Sequence, residues 1–232
     1  MAADASQKLL SGEMPFQASE DNAAVATVTG LQFRDATPMS STPYLLPPVF
    51  KFAGELGPET RVLDVGCGNG FWAAEFARYG CEVVGVDPSE SGIAVARATY
   101  PAGRFEVQHV SADLLAVLGE RPFDIVVSTE VVEHLYSPHT WATGCLRALK
   151  PGGMAIVSTP YHGWFKNVAL ASTGKLDRHL DALREGGHIK FFSRSVLSRL
   201  LTDAGFADVR FAGAGRVKWA WKSMVLAATR PA

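Results

Sequence analysis

Cysteine is scarce in this 232-residue chain, where Cys67, Cys81 and Cys145 are the only three. An odd number without metal-type spacing argues against a disulfide framework or a thiolate metal site, and reads as reduced thiols in a cytoplasmic protein. Excess charge is lacking too. Basic residues number 22 and acidic residues 23, leaving a formal net charge of −1. Without a basic stripe to track phosphates, neither nucleic acid nor an anionic membrane is an expected partner. No apolar run is long enough to span a bilayer. The opening MAADASQKLLSGEMPF has neither the basic nor the apolar region of a signal peptide. Internal repeats and low-complexity tracts are missing as well. What remains is 47% hydrophobic, enough for a full core, in a length suited to one generous domain or one domain with an insertion.

The most informative stretch is RVLDVGCGNG, Arg61 to Gly70. A short apolar run meets glycines at alternate positions, Gly66, Gly68 and Gly70, and a helical pattern starts at the last. A buried parallel strand turning through glycine into a helix N-terminus has this form. Glycine is needed where the backbone takes φ > 0 or approaches a ligand, and a helix start offers amides to an anionic group. The alternative is a packing turn with no ligand. EVVGVD, Glu82 to Asp87, is the next apolar run and ends in an acid. An acid about 20 residues past a glycine turn is placed to hold ribose hydroxyls. Both a dinucleotide and an adenosyl ligand fit that far. Counted from Gly66, a dinucleotide loop needs a small residue at 71, where Phe71 stands.

From Arg61 onward, strands alternate with helices. Strands are predicted over 61–66, 82–87, 104–110, 123–129 and 153–159, with helices over 70–79, 90–99, 113–119 and 138–149. Such alternation implies right-handed crossovers and a mostly parallel sheet. An irregular piece to about Gly187 follows, then a helix from Ser193 to Ala204 capped by Gly205. Two apolar runs, 206–212 and 223–229, suit a closing hairpin. Upstream, residues 1 to about 35 are read as a short helix or two over the ligand site, or as partly disordered. Tyr44 to Leu56 is predicted helical, with Pro47 and Pro48 acceptable only near its start. The expected division is a helical cap segment, 1–57, and a main domain, 58–232, with an insertion over about 160–187.

D-V-G-C-G-N-G resembles motif I of the class I S-adenosylmethionine-dependent methyltransferases, and GVDPS resembles the acidic segment that follows it. Ser111-Ala112-Asp113-Leu114, FDIVVSTEVVEHL and LRALKPGGMAIVSTP resemble three further segments of that family, in order and correctly spaced over about 60–160. The resemblance implies a three-layer, Rossmann-like α/β fold whose mostly parallel seven-stranded sheet ends in an antiparallel strand. It also implies S-adenosylmethionine as cofactor. Asp64 would orient its ammonium end through the loop, Gly66 and Gly68 would face its methionine part, and Asp87 its ribose diol. Asp113 would accept from the adenine amine, Leu114 would pack on the ring, and Thr129 joins the cofactor contacts. As the alternative, Asp113 is an N-cap.

E-V-V-E-H is the form this segment takes in ubiquinone-pathway O-methyltransferases, which implies catalytic roles for Glu130, Glu133 and His134 and an association with a divalent metal. Small-RNA 2′-O-methyltransferases carry a similar E-x-x-E-H and a distant histidine before K-F. His188, in GHIKFF, matches that context as a fourth ligand. Two carboxylates and two imidazoles suit Mg²⁺, Mn²⁺ or Zn²⁺. Otherwise the glutamates are helix N-terminal acids and His134 a metal-free base. Tyr161, His162 and Trp164 are assigned to the acceptor site. Lys166, Lys175, Arg178 and Arg184, dispersed among acids, read as a solvated face. Methyl transfer to a hydroxyl of a small molecule (a quinol, a phenol or a sugar) is the expected activity. RNA ribose methylation and a catalytically silent cofactor-binding subunit are the alternatives.

Overall fold

The computed structural model describes residues 32–184 and 186–232, so the element expected over 1–35 lies outside them up to residue 31. In chain order the strands are β1 (Arg61–Val65), β2 (Glu82–Asp87), β3 (Arg104–Val107), β4 (Phe123–Thr129), β5 (Leu149–Pro160), β6 (Ala207–Ala214) and β7 (Ser223–Thr229). The helices are α1 (Thr42–Ala53), α2 (Phe71–Ala77), α3 (Glu90–Thr99), α4 (Leu114–Leu118), α5 (Pro138–Ala148), α6 (Trp164–Ser172), α7 (Leu176–Leu180) and α8 (Arg194–Asp203).

The strands form one sheet in the order β3-β2-β1-β4-β5-β7-β6. Pairings among β1 to β5 are parallel, and β7 runs antiparallel between β5 and β6. Period-2 alternation sends side chains to two separate cores. Leu63, Val84, Val126, Ala155 and Leu226 pack beneath α4, α5 and α8. Val62, Val83, Ile125, Ile156 and Val225 pack beneath α1, α2 and α3. This is the three-layer α/β architecture that the sequence implies.

Several expected boundaries move. The third strand stops at Val107 rather than 110, and β5 starts at Leu149 rather than 153. Pro151 and Gly152 sit within β5 as an irregularity, with Gly152 at φ 78°. The stretch after Pro160 is not irregular throughout, because α6 and α7 occupy much of it. Helix α1 runs from Thr42 to Ala53 with Pro47 and Pro48 inside it. Two amides are thereby lost from its ladder. Burial of Leu45 and Val49 at 0% exposure against the sheet offsets that loss, so tertiary packing overrides the local rule.

Helix α5 comes close to the loop after β3. A Cβ on Gly144 would lie 2.2 Å from the Ser111 carbonyl oxygen, which is backbone and has no rotamer to give way. Gly144→Ala should therefore lower the unfolding free energy by about 1–3 kcal/mol, as overpacking does. Urea unfolding measures it through a lowered midpoint at an unchanged slope. An unchanged midpoint would mean that α5 can retreat without loss.

Candidate active site

A cleft of about 940 Å³, open to solvent, lies at the carboxyl ends of β1 and β4. Crossovers leave the sheet in opposite directions on either side of this pair, which opens a crevice there. Its floor is the glycine turn. Gly66, Gly68 and Gly70 have φ of 80°, 51° and 82°, a region costly for any residue with a Cβ. A Cβ at Gly66 would also meet Val131 Cγ2 at 2.4 Å. Asp87 fixes the turn from the neighbouring strand. Its Oδ2 accepts from the Gly68 amide at 2.9 Å and its Oδ1 from the Ser89 amide at 2.8 Å. Burial nevertheless raises its pKa above the ordinary value.

A strap from Phe33 to Thr42 crosses the turn. The Phe33 amide donates to Ser91 Oγ at 3.1 Å, and the Asn69 side-chain amide donates to the carbonyls of Asp35 (3.0 Å) and Thr37 (2.9 Å). Phe33, Met39, Ser41 and Thr42 line the cleft opposite Gly68, Asp87 and Thr129. Nothing in the local sequence marks Asn69 as the anchor, since its partners lie more than thirty residues upstream.

At the other end of the cleft, Glu130 stands at φ 55°, a left-handed conformation that clusters at functional sites. Its Oε1 accepts from Ser158 Oγ at 2.9 Å and its Oε2 from Ser223 Oγ at 3.2 Å. Burial pushes its pKa up to about 7 despite those donors. Glu133 is fully buried. Its Oε2 accepts from Thr159 Oγ1 at 2.9 Å, while Oε1 has no hydrogen-bond partner among the described residues. Burial, then the Glu130 charge, raises its pKa far above the carboxylate range.

His134 lines the cleft, and its Nδ1 lies 3.2 Å from the Gly187 carbonyl. That acceptor places the proton on Nδ1 and leaves Nε2 with a lone pair. The Glu133 carbonyl accepts from the amides of Ile189 (2.9 Å) and Lys190 (3.0 Å), which brings His188 beside it from more than fifty residues along the chain. The rings of His134 and His188 are 4.9 Å apart, and His188 Nε2 is 4.0 Å from Glu133 Oε1. Burial first, then the neighbouring His134, pushes the His188 pKa down to about 4. Donor atoms of Glu133, His134 and His188 lie within 4.8 Å of one another.

A methyltransferase domain family matches residues 40–210. The chain belongs to this family. Among curated relatives, the ubiquinone biosynthesis O-methyltransferase of Roseobacter denitrificans is 37% identical over 168 residues, covering 70% of this chain and 66% of its own. That of Dinoroseobacter shibae is 39% identical over 153 residues, covering 64% and 60%. The chain thus spans less than two thirds of the length of these relatives. An S-adenosylmethionine-dependent methyltransferase structure from Mesorhizobium loti superposes with a TM-score of 0.62 at 21% identity, over 79% of this chain and 96% of that one. The Haemonchus contortus phosphoethanolamine N-methyltransferase 2 superposes with a TM-score of 0.57 at 16% identity, over 88% and 55%. These structures share the fold.

In this methyltransferase domain the structure brings Gly66, Gly68, Asp87, Thr129, Glu130 and His134 to one cleft, with Phe71 on its wall. Other expected site residues stand elsewhere. Asp113 does not line the cleft, and its Oδ1 accepts from Arg147 Nη1 at 2.7 Å. It occupies the N-cap position of α4 without a capping bond. Leu114 is wholly buried in the core. The Tyr161 ring packs edge-on against Trp221 at 5.2 Å, and His162 is buried against Phe191 and His179. Trp164 is 76% exposed. None of these three lines the cleft, and the backbone amides of Tyr161 and His162 donate to the carbonyls of Lys222 and Phe192. The ligand cluster comprises Glu133, His134 and His188 without Glu130, whose oxygens accept from two serines, so four expected ligands become three. The glutamates are not N-terminal acids of a long helix either, for only a single 3-10 turn, Val132–His134, follows β4.

Asp64 does not line the cleft. It is buried beneath the turn, and neither oxygen has a hydrogen-bond partner among the described residues. Burial, then the Asp87 charge, pushes its pKa up to about 8, against a weak opposing pull from the Ala73 amide. A carboxyl raised from 3.8 to about 8 on folding keeps a proton that the unfolded chain releases. Stability falls as pH rises through that window and levels off above it. Asp64→Asn should therefore raise the melting temperature of the ligand-free protein near pH 8, with the gain shrinking towards pH 4. Scanning calorimetry across pH measures this, and a gain of equal size at all pH values would contradict it.

Proposed function

We propose that this chain is an S-adenosylmethionine-dependent methyltransferase that alkylates a hydroxyl of a small-molecule acceptor. The observation that carries this reading is the continuity of one cleft, with a bare glycine cradle and Asp87 at one end and Glu130 and His134 at the other. Relatives named ubiquinone biosynthesis O-methyltransferase support a hydroxyl as the acceptor. Bound there, S-adenosylmethionine would supply a methyl already activated on a sulfonium. The chain's residues would then have to hold it, align the acceptor and remove a proton.

Gly66 and Gly68 let backbone amides approach without a Cβ in the way. Each Asp87 oxygen already accepts one amide bond and keeps capacity for a ribose hydroxyl. The strap from Phe33 lines this end of the cleft. At the acceptor end, His134 is held neutral by burial, with Nε2 free to take the hydroxyl proton. A base so placed contributes roughly 10²–10⁴-fold.

The residues present also fit a divalent cation. Glu133 presents an unpartnered buried oxygen, and His134 and His188 are both biased towards the neutral form that binds metals. These three residues would hold the ion, which would polarise the acceptor oxygen and lower its pKa in place of proton removal by His134, whose one lone pair on Nε2 cannot serve both. With a net charge of −1, the reading remains a small-molecule acceptor and not nucleic acid. Among the described residues, no helix is long and apolar enough to cross a membrane.

Asp87→Ala should weaken S-adenosylhomocysteine binding by about 1.5–3 kcal/mol for each charged hydrogen bond lost. Calorimetry on the folded variant reads it directly, and unchanged affinity would remove Asp87 from the cofactor site. For the ion, exhaustive chelation should abolish methyl transfer, and added Mg²⁺, Mn²⁺ or Zn²⁺ should restore it. His188→Ala should reproduce the loss while leaving S-adenosylhomocysteine affinity intact. Full turnover after chelation, with no ion by elemental analysis, would leave His134 acting as a base alone.

A further inference from the structure

Two neighbouring residues at the end of β5 each hold one of the two glutamates that follow β4. Ser158 Oγ donates to Glu130 Oε1 and Thr159 Oγ1 donates to Glu133 Oε2, each at 2.9 Å. The consequences for the two acids differ. Glu130 has its second oxygen taken as well, by Ser223 Oγ at 3.2 Å. Glu133 keeps Oε1 without a partner among the described residues, 4.0 Å from His188 Nε2.

Thr159 is well placed to govern where that free oxygen points. Its strand is paired on both sides, with Ser158 opposite Thr129 of β4 and Thr159 opposite Met224 of β7. Its side chain is β-branched and therefore stiff at χ1. Thr159 and Glu133 are both at 0% exposure, so bulk water does not stand in for either partner. The last torsion of a glutamate is broad and roughly two-fold. Without a donor on Oε2, the Glu133 carboxyl could turn about that bond and carry Oε1 away from His188. A rigid strand fixes the hydroxyl, the hydroxyl fixes Oε2, and Oε1 is left facing the imidazoles.

We propose that Thr159 is a positioning residue of the cation site, holding Glu133 so that Oε1 completes the triad with His134 and His188. This rests on the divalent-cation reading above and reaches beyond its three ligands. Thr159 does not touch the ion; it acts through the carboxylate that does, as outer partners of metal ligands do. The neighbouring Ser158 makes the same kind of bond to Glu130, which is outside the triad.

The test is calorimetric titration of the full chain, first freed of metal by chelation, with Mn²⁺ and with Zn²⁺. Thr159→Val removes the donor at similar volume and should weaken binding of both ions about 10–100-fold, the usual cost of losing such a partner. Thr159→Ser keeps the hydroxyl and should bind close to the wild-type affinity. Unchanged S-adenosylhomocysteine affinity in the same samples verifies that each variant folds. Thr159→Ala carries the same expectation as Thr159→Val should the valine not be accommodated. Wild-type affinity in both donor-less variants, or a loss in Thr159→Ser as large as in Thr159→Val, would overturn the positioning role. Failure of the wild type to bind either ion would overturn the cation reading and this inference together, an outcome distinct from binding that ignores residue 159.

Discussion

The cleft depends first on one carboxylate. Asp87 leaves the end of β2 and holds the Gly68 amide of the turn after β1, while its other oxygen holds Ser89 at the start of α3. Two strands, one turn and one helix are registered by that group. The glycine turn could not be held so close by a neutral residue without losing charge-assisted bonds. Its left-handed residues, the strap above and the acid beneath are all referenced to it. Because Asp64 lies under the same turn, the Asp87 charge adds to burial in holding it protonated, and only Asp87 faces the cleft.

Local chemistry made much of this legible. Alternating glycines, an acid at the end of the next strand and runs of branched residues are short-range signals, and each produced the expected element. Where the sequence misled, a distant contact had the final say. Pro47 and Pro48 break a helical ladder in isolation, yet α1 persists because its apolar face is covered by the sheet. Leu114 was read as a ring-stacking residue, but a leucine at the start of a five-residue helix is worth more inside the core. Asn69 was invisible as the anchor of the strap, since its partners lie far upstream, and Lys166, read as part of a solvated face, is instead half-buried with Nζ on the Tyr161 carbonyl.

The acceptor end inverts the usual surface logic. Glutamates stand buried among hydroxyls, and imidazoles are crowded until charge on them is disfavoured. A chain gains nothing in stability from that arrangement. Among these groups Glu130, pushed up to about 7, can exchange a proton near neutral pH. His188 is held at this place by backbone contacts on both sides of it, the Gly187 carbonyl on His134 and the Ile189 and Lys190 amides on the Glu133 carbonyl.

Sheet order has a consequence for how the chain is made. Strand β6 precedes β7 in synthesis, yet β7 separates it from β5 and is its sole ladder partner. A nascent chain that has released β6 therefore carries an unpaired strand, and the backbone N–H and C=O groups along one edge of β5 are unpaired too. Both remain open until β7 leaves the ribosome and inserts between them. Because β7 also brings Ser223 to Glu130, the acceptor end matures last, and a polypeptide stalled before that point would carry a formed glycine turn on an open sheet edge.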